Sequence, residues 1–286
     1  MSAVAITHPE KVMFPDDGIT KGELAAYYEL VAPVMLPHLR GRPLTMERFH
    51  RGIGAKGFFQ KNAPKGAPEW LETVAVPKKD GVVNYPVVTD TRGLMWMANQ
   101  NCITPHVWTS RVPKLFYPDV CVFDLDPLVD DPTALRGAAL LLRDFLTELG
   151  CTSLVKTTGS KGFHVVVPLD GRANSGEVSR FAHAVGRALV QRDPEHLTQE
   201  FYKADRGGRI LIDTGRNEFG ATFAAAYAVR PKPTAPISAP CTWDEVESGF
   251  AEPRTFTLRG MRERLEAVGD LWATLYERPC ALPAPP

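Results

Sequence analysis

The sequence feature that most constrains the fold is a helix between residues 131 and 150, because both of its ends are specified. Asp131 is a candidate N-cap, Pro132 takes the first helical position and Gly150 follows the end. Strand patterns flank this helix, with VCVFDLD before it and SLVKTTG and FHVVVPL after it. The chain therefore mixes helices and strands, and regular βα units are too few for a doubly wound Rossmann fold.

Other segments carry similar signals. Capping boxes predict a helix that begins after Thr20 and stops at Pro33, and another that begins after Asn174. No internal repeat and no linker between independent domains is present, so residues 1–286 are predicted to form a single domain. The remaining patterns predict strands at PLTMERF, TVAVP, VVNYPVV, LMWMAN, RILID and TFAAAYAV, and helices at WDEVESGF and RGMRERLEAVGDLWATLYE.

Composition excludes several classes of protein. The 286 residues are 44% hydrophobic, enough for a substantial core, and 33 basic residues balance 33 acidic ones. Five cysteines without a CxxC pair argue against a disulfide framework and a structural zinc site. No apolar run approaches the ~20 residues of a membrane span, and the N-terminus lacks an apolar signal-peptide core. A cytoplasmic protein is expected, and any nucleic-acid site must be a local basic patch.

Two carboxylates end the strand VCVFDLD. Asp124 and Asp126 are two residues apart and therefore point to the same face, where they repel each other. A divalent cation such as Mg²⁺ or Mn²⁺ removes this penalty. Asp213 ends a second apolar strand, RILID, so the three aspartates together are candidates for a two-metal site of phosphoryl transfer. The alternative is that these aspartates are ordinary turn residues at strand ends.

The turn TGSKGFH lies between the two acidic strands. Gly159 and Gly162 permit tight backbone geometry, Ser160 and Lys161 supply donors, and His164 lies just inside the next strand. This set suits a phosphate cradle. It is not a Walker A loop, because G-x-x-x-x-G-K-[ST] is absent. A plain hairpin turn with a lysine at its tip is the alternative.

Residues 38–65 form a strongly basic segment, with seven Lys and Arg residues against Glu47 alone. Phe58 and Phe59 are adjacent within it, and neighbouring rings on a strand do not easily both point inward. Basic side chains beside exposed rings suit the phosphates and bases of a DNA end. The alternative is a surface loop whose phenylalanines fold back into the core.

Further cations follow the apolar strands. Arg216 comes three residues after Asp213, and Arg230 and Lys232 follow TFAAAYAV; beside a carboxylate cluster they would hold a triphosphate. Two other functions stay open, a metal-dependent phosphatase that uses D-x-D and a non-catalytic DNA-end binding module. The mid-chain position of the pair and Leu128 after it argue against the phosphatase. The binding module gives no reason for three aspartates at strand ends.

In this order the motifs resemble one family, the archaeo-eukaryotic primase-like polymerase domain of bacterial DNA ligase D and its stand-alone relatives. The similarity runs from HPEKVMFP to about WDEV and rests on FFQK, HVWTSR, DLD, TGSKGFH and the RN that follows RILID. The resemblance implies an α+β fold with an RRM-like mixed sheet packed against a second α/β module. It also implies a basic, DNA-contacting part at about 1–115, a catalytic core at about 116–250 and a C-terminal helix at about 258–277.

The resemblance also implies roles for single residues. Catalysis and metal binding fall to Asp124, Asp126 and Asp213. A pocket for a DNA 5′-phosphate falls to Lys11 and Lys21. Nucleotide contacts fall to His106, Ser160, Lys161, His164, Arg216, Asn217, Arg230 and Lys232. Contacts with DNA fall to Phe58, Phe59 and Lys61, to which the basic segment adds Arg48 and Arg51.

The activity that the resemblance implies is template-directed nucleotidyl transfer at gaps or broken ends that carry a 5′-phosphate. Two divalent ions, Mn²⁺ or Mg²⁺, and NTP or dNTP substrates are expected, with ribonucleotides preferred. No ligase or nuclease motif is present, so Ku and a separate DNA ligase are expected partners of a monomeric, nucleoid-associated bacterial enzyme. Departures such as Thr214 and Gly215 in place of a bulky pair, and Lys232 in place of an arginine, leave end joining and excision-repair gap filling both open.

Overall fold

The computed structural model describes residues 4–286, which form two compact units. The first unit comprises the described part of Met1–Pro113 together with Thr222–Ser238 and Phe256–Gly269. The second comprises Lys114–Ala221, Ala239–Thr255 and Asp270–Pro286. In the part of the chain that is described, no helix is long and apolar enough to cross a membrane.

Helices occur in both units. Two single-turn 3₁₀ helices lie at Lys203–Asp205 and Gly215–Asn217. Within residues 4–286 the α-helices are α1 (Lys21–Leu39), α2 (Thr91–Asn99), α3 (Pro132–Glu148), α4 (Ser175–Arg192), α5 (Trp243–Glu247) and α6 (Met261–Val268).

Most strands are short. Those before residue 113 are β1 (Val12–Phe14), β2 (Ile19–Thr20), β3 (Leu44–Arg48), β4 (Phe58–Gln60), β5 (Glu72–Lys78), β6 (Gly81–Val87) and β7 (Cys102–Trp108). Those that follow are β8 (Val120–Asp126), β9 (Leu154–Thr157), β10 (Phe163–Pro168), β11 (Leu197–Thr198), β12 (Ile210–Asp213), β13 (Thr222–Ala224), β14 (Ala228–Val229), β15 (Ile237–Ser238) and β16 (Pro240–Cys241).

The first unit is built on a four-stranded sheet with the order β13-β7-β3-β4. Strands β5 and β6 form a separate antiparallel hairpin, and β14 pairs with β15. Helices α1 and α2 pack against each other in the same unit. Strand β4 lies at the edge of the four-stranded sheet, and it carries the two adjacent phenylalanines.

The second unit is built on a six-stranded sheet with the order β11-β12-β8-β10-β9-β16. Strand β8 pairs antiparallel with both β10 and β12, and helices α3 and α4 contact it. The apolar half of β8 is fully buried, with Val122 and Phe123 inaccessible to solvent. The predicted helix cap is also present, because the Asp131 side chain accepts hydrogen bonds from Thr133 N and Ala134 N at the start of α3.

Helix α1 continues past the point where the sequence predicts its end. The predicted capping box of Thr20 and Glu23 is confirmed, but the helix runs on through Pro33 and Pro37 to Leu39. Both prolines lie on the exposed face, four residues apart, where water satisfies the carbonyl groups that lose their amide partners. Burial of the opposite face outweighs the cost of the prolines.

The segment LMWMAN was predicted to be a strand, and this prediction is wrong. It belongs to helix α2, which begins where the Asp90 side chain accepts a hydrogen bond from Gly93 N at 2.9 Å. Leu94, Met97 and Ala98 are buried at the spacing of one helical face. The N-cap in DTRG is the signal that identifies the helix.

The C-terminal helix is shorter than predicted. It covers Met261–Val268 rather than about 258–277, because Gly269 ends it with a φ of 65°. After this glycine the chain passes to the second unit, where Trp272 and Leu275 are buried in turns. The predicted strand TFAAAYAV is likewise two short strands, β13 and β14, separated by a bend at Tyr227 with a φ of 65°.

Candidate active site and DNA-binding residues

The register of the six-stranded sheet brings charged residues into one row. Asp124 on β8 lies opposite His164 on β10 and opposite Asp213 on β12. Lys156 on β9 lies opposite His164 and extends the row. Residues directly opposite each other point to the same face of a sheet, and Asp126, two residues after Asp124, shares that face. We call Asp124, Asp126 and Asp213 together the aspartate face.

Each carboxylate of the aspartate face has an arginine beside it. Arg216 bridges two of them, with its Nε 3.3 Å from Asp124 Oδ2 and its Nη2 3.1 Å from Asp213 Oδ2. Arg206 Nη1 lies 3.0 Å from Asp126 Oδ2. Two arginines thus offset part of the charge of the three carboxylates, and a metal ion that bound Asp124 and Asp213 together would compete with Arg216 for their oxygens.

His164 is the buried neighbour of the aspartate face. Its Nε2 lies 3.4 Å from Asp124 Oδ1, and the side chain is almost inaccessible to solvent. Burial and the nearby Lys156 charge lower the pKa of His164 to about 4, although the Asp124 carboxylate acts in the opposite direction. The imidazole is therefore neutral near pH 7 and serves as a hydrogen-bond group rather than as a cation.

The donor set of the aspartate face is chemically suited to a hard divalent ion. Three carboxylates on adjacent strands supply the oxygen ligands that Mg²⁺ and Mn²⁺ prefer. Among residues 4–286, however, no group of three or more His, Cys, Asp or Glu side chains is arranged to hold a metal ion. The carboxylate oxygens are therefore suitable ligands for such an ion, but in this structure they form ion pairs with arginines.

The turn between β9 and β10 is pressed against the strand that carries the aspartates. The Thr158 hydroxyl accepts hydrogen bonds from Ser160 N and Gly162 N, both at 3.1 Å. A Cβ on Gly162 would lie 1.6 Å from the carbonyl oxygen of Leu125, so only glycine fits there. Leu125 separates the first two aspartates. The turn that carries Ser160 and Lys161 is therefore placed beside the aspartate face.

Asn217 lies beneath the aspartate face and is fully buried. Its Nδ2 donates to Val122 O at 2.7 Å and to Thr214 O at 2.9 Å, and its Oδ1 accepts from Val122 N at 2.8 Å. These bonds attach the segment after Asp213 to β8. The structure thus shows a positioning role for Asn217, and its contact with a nucleotide stays a prediction.

His106 belongs to the first unit, where it pairs with Glu47. Its Nε2 lies 3.2 Å from Glu47 Oε2, and its ring contacts the edge of Phe59 at a centroid distance of 5.2 Å. Burial acts to raise the pKa of Glu47, but the His106 hydrogen bond and charge, with the Arg230 charge, bring it below its usual value. Arg230 and Lys232 follow β14 in the same unit, and Lys232 is exposed.

The aromatic pair of β4 is exposed, with Phe58 at 40% and Phe59 at 61% of full accessibility. His50 lies beside Phe58 at a centroid distance of 5.0 Å. Arg48 is mostly buried and donates to Gln100 O at 2.7 Å, so its guanidinium holds the structure around the pair. Arg51 and Lys61 are exposed on the same stretch of chain.

Two lysines of the first unit form what we call the lysine pocket, Lys11 and Lys21. Lys11 Nζ donates to His50 O and, at 3.2 Å, to Asn101 Oδ1. Lys21 Nζ donates to Thr7 O at 2.7 Å. Burial and the Lys11 charge lower the pKa of Lys21, while Glu10 offsets only part of this. The described residues give neither lysine a carboxylate partner in an ion pair.

Sequence reasoning missed two residues around the aspartate face. Arg206 is 4% exposed and is held by main-chain carbonyls, with Nε 3.2 Å from Glu200 O and Nη2 2.9 Å from Phe201 O. The Gly-rich sequence around Arg206 contains no motif that would predict its contact with an aspartate. Lys156 is fully buried, and the available signal was a lysine inside the apolar strand SLVKTT.

Comparison with known proteins identifies similar chains. A family model described as "LigD, primase-polymerase domain" matches residues 20–272. The multifunctional non-homologous end joining protein LigD of Mycolicibacterium smegmatis is 35% identical over 95% of this chain and 36% of its own length. The bifunctional non-homologous end joining protein LigD of Bacillus subtilis is 30% identical over 96% of this chain and 44% of its own length. The chain thus spans less than half the length of these relatives.

A solved structure is also similar. The polymerase domain from Mycobacterium tuberculosis ligase D, in complex with DNA, matches with a TM-score of 0.91 and 31% identity. The match covers 98% of this chain and 100% of the other. The resemblance drawn from the sequence and the predicted α+β class are both confirmed.

Proposed function

Since this chain belongs to the family of LigD primase-polymerase domains, we propose that it fills short gaps or extends broken DNA ends during repair. Domains of this family are nucleotidyltransferase-type polymerases of non-homologous end joining. The observation that carries the proposal is the aspartate face, three carboxylates that the register of β8 and β12 gathers on one side of the sheet. A passive DNA-end binding module gives no reason for that arrangement, and a phosphatase gives no reason for the third aspartate.

The reaction that we propose is attack of a primer 3′-hydroxyl on the α-phosphorus of a nucleoside triphosphate. The new O–P bond extends the strand by one nucleotide, the hydroxyl proton is lost to water, the α–β phosphoanhydride bond breaks, and pyrophosphate leaves with the electron pair. The family is metal-dependent, and we assign two ions, Mn²⁺ or Mg²⁺, to Asp124, Asp126 and Asp213. When bound, such ions supply charge neutralisation for the attacking hydroxyl and the leaving pyrophosphate.

The protein's own groups prepare the substrates for this step. Ser160 and Lys161 on the turn beside Leu125 are proposed to bind the triphosphate, and neutral His164 to hold Asp124 in place through the 3.4 Å contact. Arg216 lies between two carboxylates, and we propose that it binds a phosphate of the nucleotide once metal ions take its place. His106, Arg230, Lys232 and Asn217 remain predicted nucleotide-site residues.

The DNA is proposed to be held by the first unit. The lysine pocket would bind the 5′-phosphate downstream of a gap, because its two ammonium groups repel each other and gain most from an anion. Phe58 and Phe59 would stack on bases, and Arg48, Arg51 and Lys61 would support that surface from the same stretch of chain.

The setting that we propose is a monomer at the bacterial nucleoid, with ribonucleotides preferred over deoxynucleotides. Ku would supply end binding, and a separate DNA ligase would seal the nick. Both end joining and excision-repair gap filling are compatible with such an enzyme.

Primer extension on gapped DNA tests the proposal. The gap is presented with and without a downstream 5′-phosphate, with ribo- or deoxynucleotides, in Mn²⁺ or Mg²⁺. We expect divalent-dependent incorporation that is faster on the 5′-phosphorylated gap and faster with ribonucleotides. DNA binding without incorporation under every condition would favour the passive module. Release of phosphate from a simple phosphomonoester would favour the phosphatase.

A further inference from the structure

A cavity of about 510 Å³ lies in the second unit beside the turn that carries Ser160 and Lys161. Its other walls are the Pro127–Asp130 segment, which directly follows the aspartate pair of β8, and the Glu252–Thr255 segment. A volume of this size is in the range of small-molecule sites. The cavity is therefore large enough for a polyphosphate and is adjacent to groups suited to bind one.

Arg254 joins the far wall of this cavity to the turn. Its Nε donates to the carbonyl oxygen of Ser160 at 2.6 Å, across 94 residues of sequence. From the inside, the Thr158 hydroxyl and the contact of Gly162 with Leu125 hold the same turn. Arg254 therefore supports this turn from the side of the cavity, in addition to the contact that holds it against Leu125.

Lys161 and Arg254 line the cavity, and both have N–H groups available to bind a ligand. Within residues 4–286, Lys161 Nζ makes no hydrogen bond or ion pair, and Arg254 uses only its Nε. The carboxylates of Asp130 and Glu252 also line the cavity and repel a phosphate, which confines an anion to the wall formed by Lys161 and Arg254. The planar fork of a guanidinium matches the oxygens of a phosphate group.

We infer that Arg254 is a further nucleotide-binding residue. Its Nε positions the Thr158–Gly162 turn, and its two Nη groups, together with Lys161, bind the outer phosphates of the incoming nucleoside triphosphate and of the pyrophosphate that leaves. The inference rests on the proposed function, because it identifies where the polyphosphate of that reaction lies. It also accounts for an exposed arginine whose hydrogen bond is made to a main-chain carbonyl rather than to a carboxylate.

The test compares Arg254→Gln with wild type in two assays, binding of inorganic tripolyphosphate by calorimetry and steady-state primer extension. We expect the Kd for tripolyphosphate and the KM for the nucleotide each to rise about 10-fold. The kcat should change less than about twofold, because the charge-assisted contact is lost equally in the bound ground state and in the transition state. Arg254→Lys keeps the charge but lacks the planar fork that offers separate nitrogens to Ser160 and to a phosphate, so it should give intermediate values.

Arg172→Gln is the matched control, because it removes an exposed arginine that is paired with Asp170 outside this cavity. It should leave the Kd and the KM within about twofold of wild type. Thermal unfolding of each variant checks that the fold is intact, and Arg254→Lys carries the test if Arg254→Gln unfolds.

An unchanged KM and Kd in Arg254→Gln would overturn the inference, and so would a loss confined to kcat. The two proposals can fail separately. If the wild-type chain incorporates no nucleotide, the proposed function is wrong, whereas the tripolyphosphate assay still decides whether Arg254 binds a polyphosphate.

Discussion

The aspartate face of the second unit and the lysine pocket of the first unit differ in whether their charged side chains have partners of opposite charge. Asp124, Asp126 and Asp213 each have an arginine partner within 3.3 Å. The two lysines donate to neutral oxygens, and their mutual repulsion is left in place. At the aspartate face each charged group has a partner of opposite sign, whereas in the lysine pocket neither lysine has a carboxylate partner among the described residues.

This difference matches the roles that we propose for the two regions, nucleotidyl transfer at the aspartate face and binding of a DNA 5′-phosphate in the lysine pocket. Side chains that take part in bond making must keep their positions between turnovers, and pairing with arginine holds carboxylates on adjacent strands together despite their repulsion. A binding pocket gains affinity when its charges have no internal partner, because the ligand's phosphate then relieves the repulsion. Predictions that separate chemistry from binding therefore test the comparison directly.

The largest effect is expected for Asp124→Ala. Removing a carboxylate at the centre of the charged row should reduce nucleotide incorporation by at least about a thousandfold, because charge stabilisation at the reacting phosphate is lost. The Kd for gapped DNA should stay within about twofold of wild type, since the DNA contacts are assigned elsewhere. Asp144→Asn, on the exposed side of α3, is the control. Substantial incorporation by Asp124→Ala would refute the role of the aspartate face.

A smaller effect concerns the pH dependence of stability. The pKa of His164 is about 4 in the folded protein, against about 6.5 when unfolded, so between these values only the unfolded chain binds the proton. The free energy of unfolding should therefore fall as the pH is lowered through this window, by about 2–3 kcal/mol more in wild type than in His164→Gln. Urea unfolding at several pH values, with a chelator present, measures it.

His196 provides a control of opposite sign. Its hydrogen bond with Asp193 and the Asp193 charge raise the pKa of this exposed histidine, so its contribution to stability is present at low pH and is lost as the pH rises. His196→Gln should therefore steepen the acid destabilisation, whereas His164→Gln should flatten it. Equal slopes in wild type and His164→Gln would contradict the buried neutral state of His164.

Lys21→Met should weaken binding to a gap with a downstream 5′-phosphate about 10-fold, the value of a lost charge-assisted contact. Binding to the same gap without the phosphate should change little. Because the pKa of Lys21 is lowered, Lys21 loses its proton at a lower pH than an ordinary lysine. The preference of the wild-type protein for the 5′-phosphorylated gap should therefore decrease at that lower pH. Lys79→Met, in the turn between β5 and β6, is the control. Equal losses on both gaps would rule out the lysine pocket.

The smallest effect is expected for Phe59→Ala, about fivefold in DNA affinity, because an exposed ring contributes base stacking rather than charge. Phe59→Leu should recover only part of this loss, since it keeps apolar area but not the ring. Phe250→Ala removes another exposed phenylalanine, from the second unit, and should have no effect on binding. Fluorescence anisotropy of labelled gapped DNA measures all three variants.

Local sequence signals predicted many of the helices and strands correctly and failed where packing overrides them. The capping residues Thr20, Asp131 and Asn174 all begin helices as predicted. The end of α1 was wrong because Pro33 costs little on an exposed face, and α2 was mistaken for a strand because a short apolar run is compatible with both structures. Local patterns predict where an element starts. They predict less well where it ends and whether a short apolar run becomes a helix or a strand, because burial decides both.

The candidate site shows the same limit. Asp124, Asp126 and the TGSKGFH turn were recognisable because they are contiguous, and their order along the chain resembled one family. Arg206 and Arg254 were not recognisable, since their significance depends on partners that are distant in sequence. Arg206 meets Asp126 across 80 residues, and Arg254 meets Ser160 across 94.

The sequence by itself determined which residue types stand at the ends of the strands, because alternation, caps and glycine turns are local properties of the chain. Only the tertiary structure decided that β12 pairs with β8 in the register that places Asp213 opposite Asp124. It likewise decided that arginines pair with the carboxylates of one site while the two lysines of the other repel each other. The physical reason is that pairing register and charge compensation depend on contacts between distant segments, which form only when the core is buried.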